Sequence, residues 1–102
     1  MRAGGVSLPS SDMGTYLVEL YLARPDPETL RAAIVRARTA AEEMARDGTP
    51  VRYVRALYLP TDEICFLLYE GPAAHAVGET VRRAAIGFDR IVEVVEPGQD
   101  DG

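Results

Sequence analysis

Between Thr15 and Ala23, and again between Ile64 and Glu70, apolar side chains occupy odd and even positions alike. In the first run Tyr16, Val18, Leu20 and Leu22 alternate with Leu17, Glu19 and Tyr21; in the second, Ile64, Phe66 and Leu68 alternate with Cys65, Leu67 and Tyr69. Both runs are short and rich in aromatic and aliphatic residues, and the first is closed by Arg24-Pro25-Asp26-Pro27, so both read as strands. Successive side chains of a strand point to opposite faces, which makes each of these strands apolar on both sides. A sheet built from them therefore needs cover on two faces.

The rest of the chain supplies cover for one. Asp26, Pro27 and Glu28 place a capping side chain, a preset φ and a negative charge where a helix begins. Leu30, Ala33, Ile34, Ala37, Ala41 and Met44 then recur at three- and four-residue steps, a single apolar stripe that stops before Gly48. Val51–Leu59 and Ile64–Glu70 form two further β-runs split by Pro60-Thr61-Asp62-Glu63, a turn sequence suited to a hairpin. After Gly71-Pro72, Ala74, Val77, Val81 and Ala84 return to helical spacing until Gly87, and Arg90–Val95 gives a last short strand. The order is βαββαβ, which predicts an α+β ferredoxin-like fold: a four-stranded antiparallel sheet with both helices on one face. The other face is left open and apolar, and a large exposed patch of that kind is not tolerated in a soluble monomer. Burial against a second copy resolves the conflict, so the chain is expected to form a homodimer of the α/β barrel or sandwich type.

Composition narrows the context. The 102 residues are enough for one domain, with 47% apolar and 26% charged residues, so a packed core is expected. Residues 1–14 and 96–102 lack periodicity and read as a flexible leader and a flexible acidic tail around a domain spanning 15–95. A single cysteine excludes an internal disulfide framework and multi-cysteine zinc patterns, and the free thiol fits a reducing compartment. With no apolar stretch approaching a membrane span and no clear export signal, the expectation is a cytoplasmic protein with no membrane partner. A net charge of −5 opposes nucleic acid as a partner, although all eleven basic residues are arginine.

Tyr16-Leu17-Val18-Glu19, Leu68-Tyr69-Glu70-Gly71-Pro72 and the stretch from Val77-Gly78-Glu79-Thr80-Val81 to Asp89-Arg90-Ile91 resemble a bacterial family of small ferredoxin-like domains. That family is largely of unknown function and includes a nickel-binding protein. The resemblance implies the dimeric barrel and, as a cofactor, nickel. Family members often carry Cys-x-Tyr-Glu on the third strand and Glu-His-Ala on the second helix, where this chain has Leu67-Leu68-Tyr69-Glu70 and Glu79-Thr80-Val81. Leu67 and Thr80 thus replace the side chains best suited to a borderline metal. The nearest substitutes are Cys65, two residues earlier on the same strand face, with His75 and Glu79, one helical turn apart. They form the candidate metal set, and nickel is expected to bind weakly or not at all.

Glu19 is the most informative carboxylate. It stands between Leu17 and Tyr21 on one strand face, where ionisation requires a partner or a raised pKa. Arg52 or Arg55 could pair with it, their opposite parity allowing only one to share its face. A carboxylate, an arginine and tyrosines around an apolar hollow would suit a small, partly aromatic ligand, which makes Glu19, Tyr21, Arg55, Tyr58 and Tyr69 the candidate ligand-binding residues. Three function classes follow: a dimeric small-ligand or metal-binding module, a cofactor-independent enzyme such as a monooxygenase, isomerase or cyclase, and a structural or protein-interaction module. No Ser/His/Asp set, phosphate loop or zinc-protease motif is present to favour an enzyme.

Overall fold

Strand β1 (Gly14–Tyr21) leads through helix α1 (Pro27–Arg46) to the hairpin of β2 (Arg52–Leu59) and β3 (Ile64–Gly71), and helix α2 (Ala74–Arg83) then leads to β4 (Arg90–Val94). The structure, a computed structural model, describes residues 13–95. All four strands form one sheet in the order β2-β3-β1-β4, with every neighbouring pair antiparallel. This is the α+β ferredoxin-like fold expected from the order of the elements. The expected acidic tail and all but the last two residues of the expected leader lie outside the described residues, and Gly14 already belongs to β1.

Local chemistry explains where the helices begin and end. Asp26 caps α1 by accepting a 2.8 Å hydrogen bond from the Thr29 amide, and Pro27 occupies the first turn. The same bond holds the Asp26 carboxyl below the ordinary carboxylate range. At the other end Gly48 takes φ +105°, a left-handed conformation that costs glycine nothing, and the Thr49 amide turns back to the Met44 carbonyl. Helix α2 has no side-chain cap, and Gly78 lets it approach β4: a Cβ there would lie 3.4 Å from the Ile91 side chain.

Burial alternates along the central strands as the sequence requires. Val18 and Leu20 of β1 and Cys65, Leu67 and Tyr69 of β3 face the helices and are buried, as are Ala37, Ala40, Ala41 and Met44 of α1 and Val77, Thr80 and Val81 of α2. The expected stripe of α1 holds, with Ala40 added to it, whereas Ala74 at the start of α2 is exposed and Ala76 takes the inward position. No helix among the described residues is long and apolar enough to cross a membrane.

Candidate functional site

The face of the sheet away from the helices is laid out in cross-strand rows. Arg90, Glu19, Phe66 and Leu57 make one row; Val92, Leu17, Leu68 and Arg55 the next; Val94, Thr15, Glu70 and Arg52 the third. Beyond the first row stand Tyr21, Ile64 and Leu59. None of these side chains belongs to the buried core, and Leu57, Leu59 and Tyr21 are 51%, 38% and 60% exposed. The centre of the face is thus a continuous apolar patch, as the two-faced strands demand.

Two ion pairs form at its flanks across neighbouring strands. Arg90 Nε donates to Glu19 Oε1 at 2.9 Å across β4 and β1, and Arg52 donates through Nε and Nη2 to Glu70 Oε1 at 3.0 and 2.9 Å across β2 and β3. The partner of Glu19 is therefore Arg90, neither Arg52 nor Arg55. Antiparallel β4 lies beside β1, which brings the first residue of β4 opposite Glu19. The parity argument for Arg52 and Arg55 also fails, because an irregularity between Tyr53 and Arg55 shifts the β2–β3 register. Both arginines end up on the open face, and among the described residues Arg55 forms no ion pair.

Tyr21 closes one end of the patch. Its hydroxyl donates to Glu63 Oε1 at 2.6 Å, and this bond, together with the charge of Glu63, raises the phenol above its ordinary value. Arg24 holds Glu63 from the other side at 3.3 Å.

The five candidate ligand residues therefore do not form one site. Glu19, Tyr21 and Arg55 share the open face, whereas Tyr58 and Tyr69 lie on the helix side. Tyr58 donates to the Leu22 carbonyl at 2.8 Å, and Tyr69, fully buried, donates to the Ala37 carbonyl at 3.0 Å. The hydrogen-bond donors of both tyrosines are committed to the backbone.

The candidate metal residues are likewise separated. Cys65 is buried on the helix side and its thiol is pushed up by burial, while His75 and Glu79 are exposed on α2, where Glu79 meets Arg82 at 3.7 Å. Among the described residues no group of three or more His, Cys, Asp or Glu side chains is placed to hold a metal ion. The positions that carry metal-binding types in the resembling family are core here: Leu67 is buried, and Thr80 spends its hydroxyl on the Ala76 carbonyl at 2.8 Å.

Because Arg90 is 67% exposed, Glu19→Gln leaves it in water rather than stranded. The expected loss of thermal stability is small, below about 1 kcal/mol. A thermal melt checks this; a loss of several kcal/mol would show that the pair is worth far more than an exposed one.

No family model matches the chain, and no curated protein matches it. Among solved structures, the crystal structure of SCO4226 from Streptomyces coelicolor A3(2) is similar, with a TM-score of 0.68 and 22% identity over 78% of this chain and 94% of that one. At that identity the likeness establishes the fold alone, which agrees with the ferredoxin-like architecture read from the sequence.

Proposed function

We propose that this chain is one subunit of a homodimer formed open sheet face to open sheet face, and that the dimer binds a small organic molecule between its two sheets. One observation carries the reading: a continuous apolar patch around Leu17, Phe66 and Leu68 lies on the sheet face that carries no helix among the described residues, flanked by ion pairs already matched within the subunit. The matched pairs let the flanks be covered without stranding their own charges, and the patch loses its exposure to water.

Arg55 supports the ligand half of the reading. It stands in the same row as Leu17 and Leu68 with no internal counter-ion among the described residues, so covering the face calls for an anionic group from a ligand or from the second copy. Glu19 and Tyr21 offer an acceptor and a phenol on the same face. An organic anion with an aromatic or aliphatic body fits this set better than a metal ion does, given the separation of Cys65, His75 and Glu79.

Light scattering at micromolar concentration, with native mass spectrometry of untreated protein, tests both halves. The expected result is twice the chain mass and a retained small molecule that Arg55→Gln releases. A monomeric mass would sink the assembly, and a dimer free of any small molecule would leave a purely structural or partner-binding module as the function.

A further inference from the structure

The helix side of the sheet holds a cavity that the dimer does not use. It has a volume of about 380 Å³ and lies between the first half of α1 and the segment that follows α2. The sheet contributes Leu20, Cys65 and Leu67 to its lining, α1 contributes Leu30, and Ile86 closes it from the segment after α2. Small side chains on both walls, Ala33 on α1 and Ala85 and Gly87 opposite, keep it from being filled.

Its shape is fixed rather than incidental. Arg36 of α1 donates from Nε to the Ala84 carbonyl at 2.9 Å, tying the end of α2 to α1, and Ala85 then takes a left-handed φ of 61°. The Ile86 amide returns to the Val81 carbonyl at 3.1 Å, the helix-ending motif that places the residue after the cap in this conformation. The segment from Ala85 to Gly87 is thereby held as a wall of the cavity.

The same arginine gives the cavity its polarity. Arg36 lines it, and none of the ion pairs among the described residues involves Arg36, although six other such pairs form. With Nε spent on Ala84, its two terminal nitrogens remain, and these match the two oxygens of a carboxylate. An apolar hollow within the usual size range of ligand pockets, with one cation at its solvent-exposed rim, selects an anion that carries an apolar body.

We propose that this cavity is a binding site for a small monocarboxylate, its apolar body lying among Leu20, Leu30, Leu67 and Ile86 and its carboxylate on the terminal nitrogens of Arg36. The site is complete within one subunit and lies on the opposite side of the sheet from the dimer face, so it stands whether or not the proposed assembly does.

Octanoate and 1-octanol, which share a chain but differ in charge, are suitable probes for amide chemical-shift titration of the full chain. Octanoate is expected to give saturable shifts at Leu30, Ile86 and Gly87, and Arg36→Gln to weaken it about tenfold or more while leaving the weaker binding of octanol unchanged. Ala33→Phe, which fills the cavity, is expected to abolish both; should that variant fail to fold, the arginine comparison alone decides. The proposal is overturned by an absence of saturable shifts, by shifts confined to the open sheet face, or by an octanoate affinity that does not respond to Arg36→Gln.

Discussion

A second cation placed at the centre of the open sheet face, Leu68→Arg, is expected to convert the proposed dimer into a folded monomer. Leu68 lies mid-strand in β3, directly between Leu17 and Arg55, and is half-buried in the isolated subunit. The substitution therefore costs the subunit itself little, since the new side chain still reaches water. In the proposed dimer the same position would be enclosed, and an arginine there, directly beside Arg55, would be a buried ion without a partner, which costs several kcal/mol. Two-fold symmetry supplies two such ions, so the penalty is incurred twice. Light scattering should give the monomer mass at concentrations where the unaltered protein is dimeric, with an unchanged far-ultraviolet circular dichroism spectrum. The melting temperature should lose its dependence on concentration, because assembly no longer contributes to it. Thr39→Glu, on the exposed side of α1, serves as the control that leaves the mass unchanged. A Leu68→Arg protein that remains dimeric would place the interface elsewhere.

The sequence made the sheet legible because its constraints are local. The cap at Asp26, the stripe on α1, the turn at Pro60–Glu63 and the alternation in β1 and β3 each depend on residues within a few positions of one another, and each recurs in the structure within two residues of the expected bounds. The site was less legible because its partners are distant in the chain. Glu19 meets Arg90 across 71 positions, a pairing that follows only once β4 is laid beside β1. The βαββαβ order contains that information, because in this sheet β4 and not β2 is the neighbour of β1. The register irregularity between Tyr53 and Arg55 had no signal of its own, and it reverses a parity argument that was sound for an unbroken strand. Arg36 escaped notice for a related reason: on α1 it reads as one more exposed arginine, and only the return of the chain after α2 brings the Ala84 carbonyl to it.

Tyr69 is where a structural role and a ligand role can be separated most sharply, because the two predict opposite responses to one small change. Its ring is fully buried, packs edge-on against Tyr53 with centroids 5.8 Å apart, and sends its hydroxyl to the Ala37 carbonyl. Removing the ring in Tyr69→Ala should cost about 3–5 kcal/mol, a large share of the roughly 5–15 kcal/mol that holds a domain folded. Tyr69→Phe keeps the packing and removes only the donor. Since the Ala37 carbonyl retains its helical bond, the expected loss is about 0.5–1.5 kcal/mol, read from urea unfolding. The phenylalanine variant also carries a pH signature. Burial raises the Tyr69 hydroxyl above its ordinary value, so the native state keeps a proton that the unfolded chain gives up near pH ~10. Stability from this group is present in full below that pH and falls as the pH rises above it, because the unfolded state then binds fewer protons. Tyr69→Phe should therefore flatten the alkaline fall, leaving the part due to Cys65 and Tyr53, whose values burial also raises, and to Tyr21, raised by its bond to Glu63. A variant with unchanged stability and an unchanged alkaline profile that had lost a retained small molecule would instead return Tyr69 to the ligand site.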